Sequence, residues 1–262
     1  MAFKDLPNDS ILKTVVVATT LCLVCSVAVS AAAVFLRPLQ QANKAADLQK
    51  NIVAVSGLDF GDKTVADAFS AFEPRLVDLD AGTFSDAMDV ANYDQRKAAK
   101  DPAQAEVLDK VEDIAQIKMR EHLATVYFVR DNAGAIDRII LPVRGYGLWS
   151  TLWGFIALEG DANTVVGLSF YEHAETPGLG GEVDNPAWKA LWEGKQAYDA
   201  SGNAQLELVK GGFDPANPAN SGKVDALSGA TLTSRGVTNL LQYWMGENGF
   251  KPFLNNLREG KA

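Results

Sequence analysis

After thirteen residues the chain enters an apolar run with no charged residue, TVVVATTLCLVCSVAVSAAAVFL, from Thr14 to Leu36. At about 1.5 Å per residue such a helix spans about 34 Å, close to the roughly 30 Å hydrocarbon core of a bilayer. Lys13 and Arg37-Pro38 bracket it. The run predicts a membrane-spanning helix over 14–36, with residues 1–13 as a short tail. A cleaved signal peptide is the alternative, since SVAVSAAA offers small residues to a peptidase; its apolar segment would be shorter, about 7–15 residues. Leu48, Ile52 and Val55 then recur at helical spacing, so a helix is expected to continue from the membrane segment to about Leu58. KTVADAFSAF predicts a short helix, and the charged, Ala-rich stretch Asp94–Met119 a surface loop plus helix, with His122 also in a helix. From Leu123 the pattern changes to β-branched and aromatic residues. LATVYFVR and IDRIILPV flank the turn formers DNAGA, and LWGFIAL and TVVGLSFYEH flank EGDAN, which predicts two successive hairpins of one antiparallel sheet. NPAWKALWEGK reads as a short helix capped by Asn185, QLELV as a strand, and SRGVTNLLQYWMGENGF as the last helix, with Ser234 as its cap. The fold class is α+β: one amino-terminal transmembrane helix, then a soluble domain over 37–262 with helices flanking an antiparallel sheet.

Composition narrows the function. A net charge of −9 gives no basic stripe, so nucleic acid is not an expected partner. The two cysteines, Cys22 and Cys25, both lie in the apolar run, on one helix face; they read as small packing residues and leave none for a disulfide or a cysteine-based zinc site in the soluble part. With His122 and His173 the only histidines, no metal site is expected. His173, beside Glu172 and Glu175, reads as a hydrogen-bonded loop histidine. Lys4 and Lys13 on one side of the apolar run face Arg37, Lys44 and Lys50 on the other, so the positive-inside rule does not choose an orientation.

Three stretches are candidates for chemistry. RGYGLWSTLWG (Arg144–Gly154) and HAETPGLGGE (His173–Glu182) place glycines in loops after strands, where backbone N–H groups can approach a ligand. DALSGATLTSRGV (Asp225–Val237) puts small residues and hydroxyls at a helix start. Free N–H groups and the helix dipole there suit a phosphate, although a plain capped helix has the same look. Lys210, before Gly211-Gly212, is either a solvated lysine or a positive charge beside a bound anion.

DALSGAT resembles the flavinylation motif Asp-x-x-Ser/Thr-Gly-Ala-Thr/Ser, matched at Asp225, Ser228, Gly229, Ala230 and Thr231. HAETPGLG and GLWS resemble two further motifs of the same FMN-binding domain family. Their order, behind a single amino-terminal anchor, resembles the C subunits of sodium-translocating NADH:quinone oxidoreductases. The resemblance implies FMN attached covalently through its phosphate to Thr231, with no catalytic set of the chain's own. It implies a separate metal-dependent flavin transferase that uses FAD and reads Asp225, Ser228, Gly229, Ala230 and Thr231. The flavin ring is then expected against Leu148, Trp149, Ser150 and Thr151 and against Glu175, Thr176, Gly178 and Leu179, with Ser228, Gly229 and Ala230 near the phosphate and Lys210 close by. It further implies a periplasmic domain at the bacterial inner membrane, relaying electrons among the other subunits of a complex that oxidises NADH with ubiquinone and moves sodium outward. The G subunits of Rnf-type ferredoxin:NAD complexes share the flavin motifs, but the segment Leu58–Met119 favours the C subunits. A cofactor-free membrane-anchored assembly scaffold is the alternative of another class.

Overall fold

The structure is a computed structural model that describes Pro7, residues 10–214 and residues 216–262. Residues 1–6, 8 and 9 of the expected tail, Lys4 included, lie outside the described residues. The chain divides into two compact units, Met1–Asp47 and Leu48–Ala262. Helix α1 (Ile11–Val55) runs through the first unit with Pro38 inside it, and is long and apolar enough to cross a membrane. Cys22 and Cys25 are exposed on it as free thiols.

The second unit begins with the last turns of α1. Helix α2 (Val65–Phe69) follows, where Thr64 accepts the Asp67 N–H as cap. Strands β1 (Glu73–Asp78) and β2 (Thr83–Ser85), helix α3 (Gln95–Ala98), and strands β3 (Ala105–Val107), β4 (Met119–Glu121), β5 (Leu123–Arg130), β6 (Ile136–Tyr146), β7 (Thr151–Glu159) and β8 (Val165–Glu172) come next. Helix α4 (Pro186–Lys189), strands β9 (Glu207–Val209) and β10 (Lys223–Asp225), and helices α5 (Thr231–Trp244) and α6 (Lys251–Arg258) complete the order. The main sheet runs β2-β1-β5-β6-β7-β8, antiparallel throughout. The two expected hairpins are β5–β6 and β7–β8.

Period-two alternation sends side chains to both sheet faces. Phe128, Ile139, Leu141, Val143 and Ile156 pack with Val237, Leu240, Leu241 and Trp244 of α5 and Phe253 and Leu254 of α6. Val129, Ile140, Phe155 and Ala157 face the other way, onto Ile52 and Val55 of α1 and Phe72. The small parallel pair β9–β10 lies beside α5, where the Leu208 N–H donates to Thr238 Oγ1 at 2.9 Å.

Several elements differ from the expectation. Asp94–Met119 is mostly turns: α3 is one turn, and β3 pairs with β4 instead of a helix forming. Aspartates compete with the helix there. Asp113 accepts the N–H groups of Ile117 and Lys118, and Asp109 that of Val111, so the backbone finds partners outside a helical ladder. His122 sits in a bend between β4 and β5, not in a helix, bonded to Asp80 at 2.7 Å. The last predicted helix, Ser234–Phe250, is shorter at its end than expected, and a further helix that was not expected, α6, follows it from Lys251. α5 ends at Trp244 and the chain turns sharply at Gly249, where a Cβ would stand 2.3 Å from the Trp244 carbonyl oxygen.

Candidate functional site

All three sequence motifs sit on connections next to the sheet and α5. The first forms the β6–β7 turn, closed by the Gly147 N–H donating to the Ser150 carbonyl at 2.9 Å. The second leaves β8 and passes through Gly178 at φ +75° before a 3-10 turn over Gly180–Asp184. The third leaves β10, turns at Gly229 (φ +70°) and enters α5.

Glu175 joins the three. Its side chain is buried, and Oε1 accepts the N–H groups of Leu148 and Trp149, both at 3.0 Å. Oε2 accepts the hydroxyl of Thr233, in the first turns of α5, at 2.6 Å. Burial pushes this carboxyl up, but the Thr233 hydroxyl and the backbone N–H groups of Trp149, Leu148 and Ser150 outweigh it and hold it below its usual value. Two glycines make the approach possible. A Cβ at Gly147 would stand 2.6 Å from Glu175 Oε1, and one at Gly180 would stand 2.5 Å from Thr233 Oγ1. Ser150 adds a tie, its Oγ accepting the Ala174 N–H at 2.8 Å. Glu175, expected to face a ring, thus turns both carboxylate oxygens inward. Thr176 stays exposed while its carbonyl accepts the Leu179 and Gly181 N–H groups, and Thr151 opens β7 half-buried.

Around this tie the loops leave large apolar side chains in solvent. Trp149 is 64% exposed, Leu232 51%, Leu179 44% and Leu148 37%. The Leu179 side chain reaches Gly229, where a Cβ would lie 3.1 Å from Leu179 Cδ2, so the second and third loops touch.

Helix α5 begins at Thr231, three residues before the expected cap. Ala230 holds the N-cap position with no side-chain hydrogen bond, and Thr231 is exposed on the first turn. Ser234 is buried inside the helix, its Oγ accepting the Leu227 N–H at 3.0 Å. That hydroxyl fastens the preceding turn from within, so the opening N–H groups of α5 keep no side-chain acceptor. Beside them is a cavity of about 780 Å³ lined by Lys210, Gly211, Asp225, Ser228, Gly229, Thr231 and Arg235, among others. Neither Lys210 nor Arg235 has a carboxylate partner among the described residues. Arg235 escaped the sequence reading; its place four residues after Thr231, on the same helix face, is the signal that could have found it. Uncapped N–H donors, two cations and an exposed hydroxyl fit a phosphate ester, and exposed flat and branched apolar side chains fit a ring next to it.

Residues 147–246 match the FMN-binding domain family. The C subunit of the Na(+)-translocating NADH-quinone reductase from Pseudomonas aeruginosa is 53% identical over 259 residues, covering 97% of this chain and 99% of that protein. The chain belongs to the family of C subunits of Na(+)-translocating NADH-quinone reductases. The corresponding protein from Vibrio vulnificus is 49% identical, covering 97% of this chain and 98% of its own. The crystal structure of Shewanella oneidensis NqrC superposes with a TM-score of 0.76 at 38% identity, over 83% of this chain and 99% of the other. Like that relative, this chain keeps the antiparallel-sheet domain, and its FMN-binding family match begins at Gly147, the glycine that makes room for Glu175.

Proposed function

We propose that this chain carries FMN covalently on Thr231 and relays electrons within a membrane-bound sodium-translocating NADH:quinone oxidoreductase. The observation that carries the reading is the exposed Thr231 hydroxyl at the uncapped start of α5, in a cavity with Lys210 and Arg235. A threonine hydroxyl is a weak nucleophile unless activated. Attachment is therefore given to a separate metal-dependent flavin transferase that reads Asp225, Ser228, Gly229, Ala230 and Thr231. The Thr231 oxygen forms a bond to the flavin-side phosphorus of FAD, the bond to AMP breaks, AMP leaves, and the hydroxyl proton passes to a base of the transferase. The bound flavin supplies one- and two-electron redox chemistry. The chain's own residues do the rest. The first turn of α5 donates N–H groups to the phosphodiester and Lys210 and Arg235 offset its charge. Leu148, Trp149, Leu179 and Leu232 shield the ring from water, on loops that Glu175 fixes to α5. A tethered carrier cannot dissociate between turnovers, which suits a relay. Residues 14–36 span the bacterial inner membrane, residues 1–13 form a cytoplasmic tail, and 37–262 form the periplasmic domain that meets the other subunits.

The test is expression with a flavin transferase, followed by a denaturing gel viewed under ultraviolet light. The wild-type chain and Thr231→Ser are expected to fluoresce and Thr231→Val to stay dark. A fluorescent Thr231→Val chain overturns the assignment.

A further inference from the structure

Glu175 is itself held from behind. The His173 side chain is only 12% exposed, and both of its ring nitrogens are engaged. Nδ1 accepts the N–H of Glu175 at 3.1 Å, and Nε2 lies 2.8 Å from Asp184 Oδ2. A ring nitrogen that accepts an N–H carries no proton, so the ring proton sits on Nε2 and is donated to Asp184. Asp184 ends the 3-10 turn after the Gly-rich loop and lies 3.6 Å from Lys189 Nζ on α4. One residue, Glu175, therefore has its backbone N–H fixed by His173 and its carboxylate spread over the β6–β7 turn and α5.

We propose that His173 is a positioning residue of the flavin site: in its neutral Nε2–H form, locked by Asp184, it sets the backbone from which Glu175 reaches the other two loops. The proposal rests on the reading above, in which those loops hold the flavin ring. The charged group in contact with the imidazole is Asp184, itself 3.6 Å from Lys189 Nζ; Glu172 at the end of β8 pairs with Arg96, and the Glu175 carboxylate is taken up by the other two loops.

The chain has two histidines, which makes the test direct. The full chain, in detergent and without flavin, is labelled with 15N-histidine, and His122→Asn assigns the remaining pair of ring resonances to His173. The expected result is an unprotonated Nδ1 and a protonated Nε2 at neutral pH, with Asp184→Asn lowering the ratio of the two tautomers roughly tenfold, the difference between a charge-assisted and a neutral hydrogen bond. An Nδ1–H tautomer overturns the proposal. The second arm compares two variants in the flavin-loaded chain. Asparagine places an oxygen near the Nδ1 position and keeps the acceptor for Glu175; glutamine reaches toward Asp184 but offers no acceptor there. His173→Asn is expected to keep the wild-type visible circular dichroism and midpoint potential of the flavin, and His173→Gln to shift both. Variants that match each other in both signals overturn the positioning role. The 15N arm is read without flavin, so a wild-type chain that failed to take up FMN would sink the Thr231 reading and leave the tautomer result standing.

Discussion

Replacing Glu175 by glutamine keeps the shape of the side chain and removes its charge. The carboxylate accepts three hydrogen bonds, from the N–H groups of Leu148 and Trp149 and the hydroxyl of Thr233. Glutamine Oε1 can still accept the two N–H groups, and the Thr233 hydroxyl can turn to accept from Nε2. What is lost is the difference between hydrogen bonds to a charged acceptor, about 1.5–3 kcal/mol each, and neutral ones, about 0.5–1.5 kcal/mol. The two N–H groups lie on an exposed turn that water can reach, so the expected loss at neutral pH is about 2 kcal/mol. For a unit of this size that lowers Tm by roughly 4–8 °C. The pH dependence follows from the depressed carboxyl of Glu175. An unfolded glutamate titrates near about 4.3. A group whose folded value lies lower contributes stability above the unfolded value and loses it as pH falls through the folded one. The gap between wild type and Glu175→Gln is therefore full at neutral pH and closes as the medium is acidified below about pH 4. Thermal unfolding of both full-length chains, followed by far-ultraviolet circular dichroism at neutral and acidic pH, measures it. No gap at neutral pH, or an equal gap in acid, would refute the view that this carboxylate is the ionised tie between the loops.

Gly180→Ala is expected to cost about 1–3 kcal/mol by overpacking, because its Cβ would press on Thr233 Oγ1 and on Glu175 Oε2 at 2.8 Å; an unchanged Tm would show that the two loops have slack. Lys210→Gln combined with Arg235→Gln should slow flavin attachment roughly three- to tenfold at limiting transferase, measured as the growth of in-gel fluorescence, with an unchanged rate denying these cations a role at the phosphate. A reporter that works only outside the cytoplasm, fused after Ala262, should be active, and the chain should resist alkaline extraction from membranes; a released chain starting near Ala31–Ala33 would establish a cleaved signal peptide instead.

Where composition and turn residues agreed, the fold was legible in the sequence. β5 to β8 are rich in β-branched and aromatic residues, buried on both sheet faces, and are bounded by DNAGA and EGDAN, so both hairpins were readable. β1 was not, because EPRLVD offers only Leu76 and Val77 as strand-forming residues, among three charged ones and behind Pro74. Short-range side-chain bonds hid the rest. Asp109 and Asp113 turned a charged stretch that looks helical into a turn, and Ser234, which looks like a cap, serves the preceding turn from inside α5. The three motif loops could be picked out by their glycines and hydroxyls. Their joining through Glu175 could not, since it links residues 26 and 58 positions apart. Arg235 looked like any surface arginine until the cavity beside Thr231 gave it a place.

Whether Thr231 bears the cofactor through a phosphodiester can be read from peptide mass spectrometry of the chain expressed with a flavin transferase. The proteolytic peptide spanning Thr231 is expected to be heavier by FMN less one water, with fragment ions placing the added mass on Thr231. The same added mass on Ser228 or Thr233, or an unmodified peptide from a chain that still holds flavin, would contradict the assignment.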